Sequence, residues 1–185
     1  MRPRIDEPPR EDGAYVLYWM TMYRRAGWNH ALERAARWAE RLQRPLVVLE
    51  ALRAGYPWAS ERLHTFVLQG MRDNLRAFAA APVTYHPYVE PRPNAGKGLI
   101  AVMARDACLV VGDDFPAFMM PRMEEAAARQ LDCRFELVDS NGLLPLRAAP
   151  RIFARAVDFR RFLQKELPPW LERLPAADPL AGRRI

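Results

Sequence analysis

Short apolar runs alternate with amphipathic segments along most of the chain. Several of these runs are nearly continuous in apolar residues, which is typical of parallel strands that helices cover on both faces. The predicted strands are residues 14–20, 45–52, 83–89, 107–113 and 133–139. Strands and helices that alternate in this way predict an α/β fold, a three-layer doubly wound sheet of five parallel strands with right-handed crossovers.

The segments between the strands carry their apolar residues at helical spacing. After Asn29, apolar residues recur every three or four positions, and Asn29 itself is a candidate N-cap. A second apolar stripe follows Ser60, which is also a candidate cap. Residues 97–106 predict a shorter helix. Pro121 suits the first turn of a fourth helix, which we expect to end near residue 130.

Both ends of the chain differ from this alternating core over residues 14–147. Residues 1–13 are polar and rich in proline, so we predict a disordered lead-in there. Residues 148–185 predict a terminal helix that breaks at the prolines 168 and 169. Residues 175–185 are typical of a frayed end or the start of a linker. The sequence has no apolar run long enough to span a bilayer and no apolar region of a secretion signal.

Composition adds a basic charge balance and two cysteines. The net charge is +6 at pH 7, and arginine supplies nearly all of the positive charge. A basic surface favours contact with nucleic acid or another polyanion, but these arginines are scattered along the chain rather than gathered in one tract. Cys108 and Cys133 lie in or beside apolar runs and form no C-x-x-C pair, which predicts two buried thiols in a reducing cytoplasm.

The loops after the first and fourth predicted strands are the candidate ligand sites, because ligands of open α/β sheets bind beyond the carboxyl ends of the strands. The loop after strand one, TMYRRAGWN, lacks G-x-G-x-x-G, and the chain has no P-loop pattern. Asp113 and Asp114 follow strand four, but successive side chains diverge, which disfavours a catalytic pair. His30, His64 and His86 lack metal-ligand spacing. The residues therefore predict a binding module, with no catalytic residues and no metal site.

The stretch YVLYWMTMYRRAGWNHAL, residues 15–32, matches the opening of a known enzyme family. Trp19 and Met20 end the strand, and Arg25 and Asn29 follow in the loop. The segments ERLHTFVLQGM, VVGDDFP and VDSNGLLP then occur in the order expected for the same family. In these motifs, over about residues 15–174, the chain resembles the class II cyclobutane pyrimidine dimer photolyases. It departs from their first loop at residues 22 and 23, where Met-Tyr replaces an Arg-Asp pair.

This resemblance implies the Rossmann-like N-terminal α/β domain of a photolyase, with strand order 3-2-1-4-5 and the start of an interdomain linker in the tail. It also implies an antenna chromophore, which would be a deazaflavin, a pterin or a flavin. The implied chromophore-binding residues are Trp19, Met20, Tyr23, Arg25, Glu50, Ala51, Gly112, Asp113 and Asp114. In the family, FAD and the contact with DNA belong to a helical C-terminal domain. The resemblance therefore implies that such a domain, encoded in the same gene or separately, is the partner of this chain.

Two other functions stay open at this point. The chain is also compatible with a free-standing binder of nucleotides or other small molecules from the same fold superfamily. Alternatively, it is a docking module for a separately encoded helical flavoprotein. Phe153, Phe159 and Phe162 of the predicted tail helix would then supply an apolar contact surface.

Overall fold

A six-stranded sheet forms the centre of the molecule in a computed structural model that describes residues 1–185. The strands are β1 (Arg2–Ile5), β2 (Tyr15–Met20), β3 (Leu46–Leu52), β4 (Thr84–Val89), β5 (Ala107–Asp113) and β6 (Arg134–Val138). Their order is β1-β6-β5-β2-β3-β4. The pairs among β2 to β6 are parallel, and β1 runs antiparallel to β6. The α/β prediction is therefore confirmed.

The edge strand β1 was not predicted. Counted without it, the five predicted strands lie in the expected order 3-2-1-4-5, but a sheet of only five strands is wrong. The disordered lead-in predicted for residues 1–13 is corrected as well, because Arg2–Ile5 pairs with β6. The free edge of β6 offers unpaired backbone groups, and Arg2 holds the new strand through ion pairs with Asp114 and Glu124.

The helices follow the predicted caps closely in the first half of the chain. They are α1 (His30–Leu42), α2 (Glu61–Phe78), α3 (Leu99–Ala104), α4 (Met120–Ala128), α5 (Ala156–Glu166) and α6 (Pro168–Leu171), with a 3-10 turn at Leu146–Ala148. The Asn29 side chain accepts from the first turn of α1, and the Ser60 hydroxyl accepts from Leu63 N–H. The tail helix begins at residue 156 rather than near 148, and it breaks before Pro168 as predicted, where the short helix α6 begins.

Two apolar cores lie on the two faces of the sheet. Alternate residues of β2 divide between them, because successive side chains of a strand point to opposite faces. Tyr18 and Met20 pack towards α1, whereas Leu17 and Trp19 pack towards α3 and α4. This two-sided burial explains why β2 and β5 read as continuous apolar runs. Both cysteines are buried and free.

The last ten residues return to the core. Leu180 is 6% exposed and belongs to the core on the α1 side. The N–H of Trp28 donates to the carbonyls of Ala176 and Ala177, and a Cβ on Gly27 would lie 2.7 Å from the Ala177 oxygen. This packing corrects the prediction of a frayed end over residues 175–185, whereas the start of a linker there stays a prediction. None of the helices has the length and apolar composition required to cross a membrane.

Candidate functional site

A cavity of about 590 Å³ opens beyond the carboxyl ends of β2, β3 and β4. This volume falls within the usual range of small-molecule sites, about 300–1,000 Å³. The floor includes Leu49 and Ala51 of β3, and the walls come from the loops after these strands and from α3 and α4. Because α3 has only six residues, it leaves this part of the sheet uncovered. The cavity therefore results from the shortness of α3, the helix that connects β4 to β5.

Aromatic side chains from four parts of the chain line this cavity. Trp19 lies in β2 and Tyr88 in β4. Tyr56 and Trp58 come from the segment between β3 and α2, and Phe118 comes from the segment between β5 and α4. Met22, Met119, Met120 and Met123 add polarisable side chains to the same lining. Flat aromatic ligands suit such walls, because offset and edge-to-face ring contacts stabilise them beyond simple burial.

The polar lining of the cavity has more positive than negative charge. Arg24, Arg53 and Lys97 are its cationic side chains, and Glu90 is its one carboxylate. Glu90 accepts from Ala54 N–H at 2.8 Å and from Gly96 N–H at 3.0 Å. The Gly96 bond lowers the pKa of Glu90, so this group stays ionised at neutral pH. The carboxylate ties the loops after β3 and β4 together, which leaves the cations to meet a ligand.

Arg24 is held in a fixed orientation at the cavity wall. Its guanidinium donates to the Thr21 carbonyl at 2.9 Å, to the Glu50 carboxylate at 3.1 Å and to the Ala51 carbonyl at 2.7 Å. Three bonds leave part of the donor capacity of a guanidinium unused, since it carries five N–H groups. Arg24 can therefore present N–H donors to a bound molecule without rearranging.

The loop after β2 forms an anion-binding nest that an internal carboxylate fills. The N–H groups of Thr21, Met22 and Tyr23 donate to one oxygen of Asp113 at 2.8, 2.8 and 3.0 Å. The Tyr18 hydroxyl donates to the other oxygen at 2.8 Å. Burial raises the pKa of Asp113, and these donors oppose that rise. Successive N–H groups of this kind bind phosphate in other α/β proteins, but here they are already satisfied.

Asp114 faces a different set of partners from Asp113. Arg2 and Arg147 both bond its carboxylate, with Nε–Oδ2 distances of 3.0 and 2.9 Å. Burial alone would raise the pKa of Asp114, but the bonds from Arg2 and Arg147 lower it below the ordinary value. The two neighbouring carboxylates thus serve two separate networks, as expected for successive residues that point apart.

The structure brings only two of the nine predicted binding residues to the cavity. Trp19 and Ala51 line it. Met20 lies on the other face of the sheet, in the core beneath α1. Gly112 is buried within β5, where an added Cβ would stand 3.0 Å from the Leu137 side chain. Met20 and Gly112 therefore lie outside this cavity, and their contact with a ligand stays a prediction.

The other predicted residues brace the site from behind. Glu50 is fully buried and bonds Arg24, Asn74 and Tyr85. Arg25 donates to the carbonyls of Trp28 and Ser140. The remaining three, Tyr23, Asp113 and Asp114, bond within the loop networks described above and do not line the cavity. Their polar groups are bonded inside the protein, so their contact with a ligand stays a prediction.

Sequence reasoning missed most of the cavity lining. Arg53, Trp58, Lys97 and Phe118 lie in loops after β3, β4 and β5 that carry no recognised motif. The available signal was the aromatic residues Trp58 and Phe118 in connections without helical or strand periodicity, together with the long loop at residues 90–98. Loops that hold large apolar side chains without a helical or strand period often serve binding.

Comparison with known proteins shows one sequence relative of note. The chain is 32% identical over 146 residues to a deoxyribodipyrimidine photo-lyase of Methanothermobacter thermautotrophicus, a match that covers 77% of this chain and 31% of that protein. No family model matches the chain.

Solved structures with a similar chain path are universal stress proteins. One, in complex with cAMP, has a TM-score of 0.40 at 19% identity and covers 69% of this chain and 99% of its own. Another, from Archaeoglobus fulgidus in complex with dAMP, has a TM-score of 0.44 at 11% identity, with 68% and 99% covered. Of the comparisons, the sequence match is the one that bears on function: the chain is related to a photo-lyase and spans about a third of that relative's length.

Proposed function

We propose that this chain is the α/β domain of a deoxyribodipyrimidine photolyase-like protein, and that its cavity holds an antenna chromophore. The sequence relationship to a photo-lyase supports the first part. The observation that carries the second part is the cavity of about 590 Å³ with aromatic and methionine walls at the carboxyl end of the sheet. A deazaflavin, a pterin or a flavin has the flat ring that such walls accept.

The filled nest favours a ring-binding site over a phosphate-binding site. A nucleotide that bound with its phosphates after β2 would have to displace the Asp113 carboxylate from three N–H groups. The exposed cations Arg53 and Lys97 instead lie around the cavity, where they suit a charged substituent on a ring. A free-standing small-molecule binder remains the second candidate, because the same cavity serves it equally well.

Reconstitution of the purified chain tests chromophore binding. Riboflavin, 8-hydroxy-5-deazariboflavin and methenyltetrahydrofolate are added in turn, and quenching of tryptophan fluorescence and ligand absorbance are recorded. Ala126→Trp places an indole in the cavity from the exposed side of α4, and Arg129→Trp places one on the same helix outside it. We expect one ligand to bind and Ala126→Trp alone to weaken it by tenfold or more. Failure of all three ligands to bind would contradict the antenna proposal.

The proposed partner is a helical flavin-binding domain that carries FAD and contacts DNA. An unused apolar strip on α2 supports this: Leu63 and Phe66 are 42% and 74% exposed, and they share one face of the helix with Gly70. A Cβ on Gly70 would meet nothing within 4 Å, so another surface can approach closely there. The strip also fits the docking-module alternative, in which the same domain is a separate protein.

Co-purification with the helical domain of a photolyase tests this partnership. Phe66→Glu places a charge in the strip, and Arg72→Glu changes an exposed residue of the same helix outside it. We expect size-exclusion chromatography to show a complex that Phe66→Glu abolishes and Arg72→Glu preserves. A complex that survives Phe66→Glu would place the contact elsewhere.

A further inference from the structure

Two exposed aromatic side chains meet at the mouth of the cavity. Trp58 and Phe118 come from different loops, and their ring centroids lie 6.2 Å apart with an interplanar angle of 76°. Both residues line the cavity, yet they are 58% and 73% exposed. Side chains that line a cavity and are mostly exposed lie at its rim. The pair therefore bridges two sides of the opening.

Phe118 is held in a conformation that its own packing does not explain. Its φ of 57° lies in the left-handed region, which costs a bulky residue roughly 1–2 kcal/mol. The ring remains mostly in water, so it gains little from burial. It is nevertheless positioned from behind, because it stacks parallel to Phe115, which contacts Tyr23 edge-on. The strained backbone of Phe118 therefore directs its ring over the cavity mouth.

The Trp58 ring is mostly exposed and lies in a loop that is anchored beside it. Its neighbour Tyr56 packs against His64 of α2, which anchors the loop at its base. The ring of Trp58 itself pairs with Phe118 and is otherwise largely exposed. Rotation of the Trp58 side chain therefore opens the pair with little loss of packing.

We propose that Trp58 and Phe118 form a clamp that closes on the ring of the bound ligand, a proposal that rests on the proposed ring-binding function. A ring stacked between two others needs about 7 Å between the outer planes, since carbon atoms in contact are about 3.5 Å apart. The present centroid distance of 6.2 Å is close to this value, but the rings stand edge to face. Turning Trp58 parallel to Phe118 makes the slot that a flat ligand needs.

The charges beside the clamp define the class of ligand further. Lys97 and Arg53 line the cavity and are exposed, and Arg24 is fixed with donors to spare. Glu90 is occupied by the backbone of two loops. The clamp therefore suits a planar aromatic molecule with an anionic substituent, whose ring lies between Trp58 and Phe118.

Stopped-flow binding of riboflavin and of riboflavin 5′-phosphate tests the clamp. The variants are Trp58→Ala, Phe118→Gly and, as control, Trp28→Ala. Trp28 is 54% exposed but lies outside the cavity lining. We expect each clamp variant to raise the dissociation rate constant by about tenfold or more, equivalent to about 1.4 kcal/mol. The control should stay within twofold of the wild type. The double variant should lose less than the sum of both losses, because the two rings act on one ligand.

The outcomes distinguish a failure of the clamp proposal from a failure of the proposed ring-binding function. Binding to the wild type with unchanged dissociation from both clamp variants overturns the clamp and leaves the ring-binding cavity standing. No binding of either flavin to the wild type overturns the clamp and also counts against the proposed antenna site. Tighter binding of the phosphate form, removed by Lys97→Gln, supports the anionic substituent; equal binding of both forms overturns that part.

Discussion

Asp113 shows how one residue changes what the loop after β2 can bind. Three successive N–H groups after β2 converge on one of its carboxylate oxygens. An anion from solution would meet the same donors in a protein without this aspartate. Because the carboxylate comes from the neighbouring strand β5, it also joins the two strands at the centre of the sheet. The N–H groups of this loop are thereby used inside the protein, although Met22 and Arg24 of the same loop line the cavity.

Removal of this carboxylate gives the first prediction. Asp113→Ala leaves the N–H groups of Thr21, Met22 and Tyr23 and the Tyr18 hydroxyl without this acceptor. At about 1 kcal/mol for each of these four groups, we expect urea unfolding to show a loss of roughly 4 kcal/mol. Asp106→Ala, at an exposed aspartate before β5, should cost less than about 0.5 kcal/mol. A loss below 1 kcal/mol for Asp113→Ala would show that the nest is satisfied in another way.

At the scale of elements, a buried carboxylate joins β6 to α1. Glu136 is fully buried, and it accepts from Arg34 and Arg134 at 2.7 and 2.6 Å. The Trp38 indole N–H donates to it at 3.0 Å, and both guanidinium groups lie over the Trp38 ring. Burial alone would raise the pKa of Glu136, but the bonds from Arg34, Trp38 and Arg134 lower it. Glu136 therefore fixes the position of α1 against β6.

The second prediction follows from that lowered pKa. Glu136→Gln should destabilise the protein by about 2 kcal/mol at pH 7, less than the ~3–5 kcal/mol of a fully buried pair because both arginines reach solvent. A lowered pKa means that this stabilisation is present above the unfolded value of about 4.3 and is lost as the pH falls towards the folded value. The difference between wild type and variant, measured by urea unfolding, should therefore shrink below about pH 4.

A surface ion pair provides the control for this experiment. Asp73 pairs with Arg76 on α2, and the two side chains are 67% and 70% exposed. Asp73→Asn should cost about 0–0.5 kcal/mol, since exposed pairs are screened by solvent. A difference for Glu136→Gln that stays constant down to low pH would contradict the role given to its charge.

The predicted and unpredicted elements differ in where their stability originates. The four inner strands β2, β3, β5 and β6 follow from local pattern, because burial on both faces requires apolar runs. β1 has no such pattern: its four residues include Pro3 and become a strand only by pairing with β6. The cavity could not be predicted from the sequence pattern either, since it results from the shortness of α3 and from the contact of Trp58 with Phe118 across two loops. Contacts between distant segments leave no periodic trace in a sequence.

At the scale of the whole molecule, the C-terminal part of the chain leaves the core and returns to it. Arg147 anchors the departing segment at Asp114. Helices α5 and α6 then contact each other and contain no buried residue, and their aromatic cluster of Phe153, Phe159 and Phe162 is largely self-contained. The final segment packs beside α1 through Leu180. The two helices thus form an arm that is tied to the core at both ends.

The return of the chain gives the third prediction, in which two leucines in the tail are compared. Leu180 is 6% exposed and Leu174 is 53% exposed. Leu180→Ala should cost about 2 kcal/mol, the lower end for a buried leucine because a terminal segment relaxes around the gap. That loss corresponds to a fall of roughly 4–8 °C in Tm for a chain of this size. Leu174→Ala, the same chemical change on the exposed part of the tail, should lower Tm by less than about 2 °C.

Equal effects of the two substitutions would mean that the last residues do not pack against the core in solution. A larger effect of Leu180→Ala would establish that the C-terminal end of the arm is held against the core beside α1.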